Sequence, residues 1–248
     1  MSNVNELILE KQALSFRNEY GLSSTDPIRL KSLLQKANVI TAFAPLSENF
    51  SGMALKANAA DRFMLVNNTQ SLGKQHFTIC HELYHLFIQE NFTAQVCTTG
   101  LFDKAISKIE QYADIFASFL LLPKEGVIEN IPNEELEGKN ISLKTILFIE
   151  NFFSCSRRAL LYRLKKLGII NSEQYTTFSI NIKRGALENG YQTALYEPGN
   201  ANQHIGDYGT IARGLYEKEK ISQSHYYTLL RDLGIDINKL TDIENGAF

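Results

Sequence analysis

The sequence predicts an α+β fold: a mostly helical core with a small antiparallel sheet, followed by a helical, helix-turn-helix-like C-terminal region. Three observations carry this. Apolar residues recur at helical spacing over much of the chain. Three short extended runs, bounded by turn residues, lie close together between residues 39 and 68. A Pro-containing acidic stretch beginning at Pro123 then separates the core from a basic helical pair. On that division, residues 1–125 form one domain and residues 126–248 a helical C-terminal region, with the pair at 141–168.

The elements follow in order. Val4, Leu7, Ile8 and Leu14 mark a helix over 3–20. Asp26 is expected to cap a second helix, with Pro27 at its first position and Ile28, Leu30, Leu33 and Leu34 as its buried face. The extended runs are VITAFAP from Val39, GMALKA from Gly52 and RFMLVNN from Arg62. Residues 74–90 and 103–122 read as helices, the second stopped by Pro123. The stretch PKEGVIENIPNEELEGKN has the composition of a surface connection. Residues 141–168 read as helix, turn, helix, with Ser156 capping the second and Gly168 ending it. The tail holds a Gly/Pro/Asn-rich loop at 196–209 and a final helical pair around 210–234, expected to pack as a cap.

Bulk composition excludes several classes. In 248 residues, 44% are hydrophobic and 21% charged, as in ordinary globular proteins. The net charge of −2 gives the whole molecule no strong pull toward nucleic acid or acidic lipid. The N-terminal stretch has no uninterrupted apolar segment of the kind a secretory signal needs. The longest apolar run, IFASFLLL from Ile115, is far too short to span a bilayer, so no membrane association is expected. The three cysteines, Cys80, Cys97 and Cys155, are odd in number and lack CxxC spacing, which fits a reducing cytoplasm better than a disulfide framework.

The chemistry concentrates in FTICHELYHLFI, starting at Phe77. His81, Glu82 and His85 form HExxH inside an apolar helix. Positions i and i+4 share a helix face, so two imidazoles there can each give a nitrogen to one tetrahedral Zn²⁺. Glu82 lies about 100° further round, beside a metal and not on it, where a base that takes a proton from water belongs. Buried His and Glu are costly unless something satisfies them, and a cation would do so. The plainer alternative is two satisfied core histidines and a salt-bridged glutamate.

A catalytic zinc takes a third protein ligand and keeps one position open. His76, His204 and His225 are poorly placed for it. In IEQYADIFASFLLLP, Glu110 and Asp114 share a helix face. Glu110 could ligate, and Asp114 could accept a hydrogen bond from a ligating histidine. Alternatively, Glu110 faces water and Asp114 pairs with Lys108.

These two blocks together resemble the ImmA/IrrE metallopeptidases, whose pattern runs close to F-T-x-x-H-E-x-x-H and then E-x-x-A-[ND]-x-F-A-x-x-L-L-x-P. Here the second block supplies Glu110, Ala113, Asp114, Phe116, Ala117, Leu120, Leu121 and Pro123. SGMALKANAADRFMLVNN is similar to the strand pair that precedes the family's metal helix, and the resemblance covers roughly residues 10–125. His76 stands where an Arg is usual, and Tyr84 where a Gly is common. The resemblance implies a zincin-like core and a zinc-dependent endopeptidase with one zinc ion per chain. His81, His85 and Glu110 would be its ligands, Glu82 its base and Asp114 a supporting partner. It also implies a protein substrate: a helix-turn-helix repressor or antitoxin encoded nearby, cut to relieve repression. Tyr84, Tyr112, His76 and His204 are all conceivable donors to an oxyanion.

From Lys139 to Gly168 there are seven basic residues against Glu150 alone. Arg157 and Arg158, at the start of the second helix, could meet DNA phosphates. Ala159, Leu160, Leu164 and Leu167 form a buried stripe there, and a surface for docking substrate suits the segment at least as well as a DNA contact. The rival to an enzyme is a regulator that binds DNA or a repressor and holds its metal structurally.

Overall fold

The computed structural model describes residues 3–58, 61–92, 94–97 and 107–235. Helix α1 (Asn3–Glu19) buries Leu9, Ala13 and Phe16, which recur every three or four residues on one face. Val4, Leu7 and Ile8 lie on the outer face instead and are exposed. Arg17, fully buried, donates to the carbonyls of Ser23 (2.8 Å), Leu120 (2.7 Å) and Asp26. It thereby ties the turn after α1 to the helix that carries Glu110. Helix α2 (Leu30–Lys36) starts later than expected. Asp26 does not cap it: its carboxylate turns back to accept from the Ser23 amide (2.8 Å), so Asp26 closes the preceding turn.

Strands β1 (Val39–Ala44), β2 (Gly52–Lys56) and β3 (Arg62–Asn67) fall where the extended runs predict. With β4 (Ala94–Cys97) and β5 (His204–Ile205) they form a sheet in the order β4-β2-β3-β1-β5. The sheet is mixed and not purely antiparallel, because β1 and β3 run parallel. The seven residues between β1 and β2 are enough to step over the end of β3, so β1 pairs on the far side of the β2–β3 hairpin. Asn67 fixes this step. Its buried amide donates to the carbonyls of Ser47 (3.0 Å) and Phe50 (2.7 Å) and accepts from the Leu46 amide (3.2 Å).

Helix α3 (Leu72–Phe87) packs on β2 and β3, and α4 (Lys108–Leu121) packs against both α3 and α1. The expected helix over 103–122 is thus present from Lys108; residues 103–106 lie outside the described ones. The acidic stretch is not a bare connection. It forms α5 (Lys124–Glu129) and α6 (Asn133–Glu137), and buries Val127 and Ile131. The core continues without interruption into α7 (Leu143–Phe153) and α8 (Arg157–Lys166). Ser156 caps α8 as predicted, accepting from the Ala159 amide. Two short helices, α9 (Ser172–Phe178) and α10 (Ile182–Glu188), lead to a single 3₁₀ turn at Ala194–Tyr196.

The loop that follows is a strap. Glu197 O accepts from the Leu72 amide (2.9 Å), and Gly199 O accepts from Gln75 Nε2 (3.1 Å). Asn200 donates to Gln75 Oε1 (2.9 Å), and β5 then adds a strand beside β1. The strap therefore grips the first turn of α3. Helices α11 (Tyr208–Glu217) and α12 (Gln223–Asp232) follow as a hairpin, with Tyr216 and Tyr226 stacked at 4.8 Å. Among the described residues, no helix is long and apolar enough to cross a membrane. Cys80 and Cys155 are buried free thiols; the Cys97 side chain lies outside the described ones.

Candidate metal centre

From Phe77 to Leu86 every residue of α3 is buried, against the sheet on one side and α4 on the other. That sandwich places His81, Glu82 and His85 in the interior, at 1%, 0% and 0% exposure. Glu110 comes from the first turn of α4, where Ser107 caps the helix by accepting from the Glu110 amide (3.3 Å). A carboxylate there also lies at the positive end of the helix dipole.

The donor atoms of His81, His85 and Glu110 lie within 4.8 Å of one another. His81 Nδ1–H donates to Asp114 Oδ1 (2.8 Å), and His85 Nδ1–H donates to Gln89 Oε1 (2.5 Å). In the neutral rings those bonds leave a lone pair on each Nε2. The two Nε2 atoms are 3.1 Å apart, and Glu110 stands 3.1 Å from His81 Nε2 and 3.3 Å from His85 Nε2. Three electron-rich atoms thus converge in a buried space, which is repulsive unless a cation or shared protons lie among them. Tetrahedral zinc with donors at about 2.0–2.1 Å implies donor–donor edges of roughly 3.3 Å, so the set fits one such ion. With no cation present, burial raises the Glu110 carboxyl, but hydrogen bonds and charge from His81 and His85 in their protonated forms outweigh it and hold it at about 2.

Asp114 therefore meets the far nitrogen of His81, one of the two arrangements the sequence leaves open. Two partners escaped the sequence reading. Gln89 orients His85, and its signal was present: it is four residues on, along the same helix face. Phe92 stacks on the His85 ring at 5.3 Å and comes from the turn after α3, where periodicity gives no guide.

The other expected residues are dispersed. Tyr84 is buried, its ring 5.6 Å from those of both His85 and Phe116. Tyr112 OH accepts from Asn5 (2.9 Å), His76 donates to the Ser154 carbonyl (2.6 Å), and His204 lies on β5, at the sheet edge opposite β4. Neither His76 nor His204 belongs to the donor cluster. Arg157 is also inside the protein, bonded to Glu150 (2.7 Å) and the Phe178 carbonyl (3.0 Å). A guanidinium so placed is closed to a phosphate, because α7 and α8 share a core and Glu150 faces it across their interface. Arg158 is on the surface. Arg163 is buried too, bonded to the Leu122 carbonyl and Glu10.

An HExxH helix packed on a small sheet, with a second helix on its other side that brings a glutamate, is the core of a zincin-like peptidase. The chain belongs to the ImmA/IrrE family: the family model for the IrrE N-terminal-like domain, a peptidase family, matches residues 38–165. The match begins later than the resemblance drawn from the two sequence blocks and runs further, through α7 and nearly all of α8. No curated protein sequence matches the chain.

Proposed function

We infer that the protein is a zinc-dependent endopeptidase. The observation that carries this reading is the convergence of His81 Nε2, His85 Nε2 and the Glu110 carboxylate in one buried space. A zinc ion held by those three would polarise the scissile carbonyl and acidify water. Asp114 and Gln89 hold the imidazoles in the tautomers that present Nε2. Glu82 takes the proton from the attacking water and passes it to the leaving amine nitrogen, so that the broken C–N bond yields a carboxylate and an amine. Three protein donors among the described residues, with Asp114 engaged on His81, would leave a tetrahedral ion one position for water or substrate, which favours chemistry over a structural metal.

The substrate we favour is a helix-turn-helix repressor or antitoxin encoded nearby, whose cleavage relieves repression in the cytoplasm. Family membership supports this. The burial of Arg157 and Arg163 weighs against the rival reading of a DNA-binding regulator. The test is to incubate zinc-loaded protein with the products of adjacent genes and identify cut peptides by mass spectrometry. Cleavage that is absent in Glu82→Gln supports the reading. Cleavage at the wild-type rate by that variant overturns it.

A further inference from the structure

Gly52 opens β2, and its φ lies outside the left-handed region, so its backbone does not demand glycine. A strand gains nothing from a residue with no side chain to pack; glycine there marks a close approach. The approach is from α3. A Cβ at residue 52 would stand 2.7 Å from Thr78 Cγ2, 3.0 Å from Glu82 Oε1 and 3.0 Å from the Leu65 carbonyl oxygen. Thr78 and Glu82 are one helical turn apart and fully buried, so neither can swing into solvent to make room. Gly52 is paired with Val66 on one side and Cys97 on the other, so β2 cannot shift without disturbing both ladders.

We propose that Gly52 is a positioning residue for Glu82: the missing Cβ forms the niche in which the carboxylate rests. This rests on the reading of Glu82 as the base. The niche binds no substrate; it fixes how far the carboxylate reaches toward the water it deprotonates. A displacement of about 1 Å in such a group costs roughly a hundredfold in rate.

Gly52→Ala, Thr78→Ser and the double variant decide the matter. Thr78→Ser removes Cγ2 and so relieves the closest contact, leaving those to Glu82 and to the Leu65 carbonyl. We expect Gly52→Ala to bind one zinc per chain, melt lower, and lose roughly a hundredfold in kcat with KM unchanged on the partner that wild-type protein cuts. In the double variant the melting temperature recovers in part and kcat does not, and its crystal structure shows the Glu82 carboxylate displaced. Recovery of kcat together with stability, or a Glu82 carboxylate at its wild-type position, overturns the proposal, since Gly52 would then serve packing alone. Should wild-type protein cut no partner, the peptidase reading fails, and the crystal structures still decide whether residue 52 sets the Glu82 position.

Discussion

His81 and His85 differ in the partner that takes the Nδ1 proton: a carboxylate for His81, a neutral amide for His85. Partners of this kind fix ring orientation and raise donor strength, and their loss costs about 10–100-fold in metal affinity. Asp114→Ala and Gln89→Ala should each weaken zinc binding by about that much, with Asp114→Ala the larger loss because a charged acceptor is removed. Competition against a zinc chelator measures both, and unchanged affinity in either variant removes that residue from the site. Glu82→Gln should behave in the opposite way. It keeps zinc at full occupancy and loses roughly 10²–10⁴-fold in turnover, because only proton transfer is removed.

Between elements, the decisive contact outside the metal centre joins α7 and α8. Glu150 is fully buried and accepts from both Arg157 (2.7 Å) and the Tyr196 hydroxyl (3.0 Å). Burial pushes the Glu150 carboxyl above its ordinary value against the lowering pull of Arg157. Removing one member of a buried pair leaves the other charge uncompensated, at a cost of about 3–5 kcal/mol. Glu150→Ala should therefore destabilise the fold by that order in chemical denaturation. Replacing Glu150 and Arg157 together with Leu and Met should recover much of the loss. A double variant no more stable than Glu150→Ala would show that the pair contributes more than mutual neutralisation.

Across the whole molecule, the strap makes the C-terminal region part of the frame around α3. Its bonds from Glu197, Gly199 and Asn200 reach α3, and Gln203 O accepts from the Phe43 amide of β1 (3.0 Å). At roughly 1 kcal/mol per bond, these are a sizeable part of a marginal stability. A chain ending after Asp207, which keeps the strap and β5 and loses the residues that follow, should fold and bind zinc. One ending after Gly190, which also loses the strap and β5, should melt well below it. Equal melting temperatures would mean the strap is dispensable. Zinc itself should stabilise the fold in proportion to the logarithm of its concentration above Kd, by about 4 kcal/mol at a thousandfold excess, and so raise the melting temperature, and chelation should reverse this.

The residues of the centre were legible in the sequence because helical geometry is local. His81 and His85 at i and i+4, and Glu110 and Asp114 at i and i+4, must share faces whatever surrounds them. The helices α3, α4, α7 and α8 and the first three strands were legible for the same reason, since period and turn residues are read within a few positions. What depends on partners distant in the chain was not. The parallel β1–β3 pairing follows from the loop that Asn67 folds over the end of β3. The burial of Arg157 follows from Glu150 facing it across a helix interface, and the strap joins residues more than a hundred positions apart. Periodicity shows which residues turn inward, whereas only the packed chain decides what they meet there.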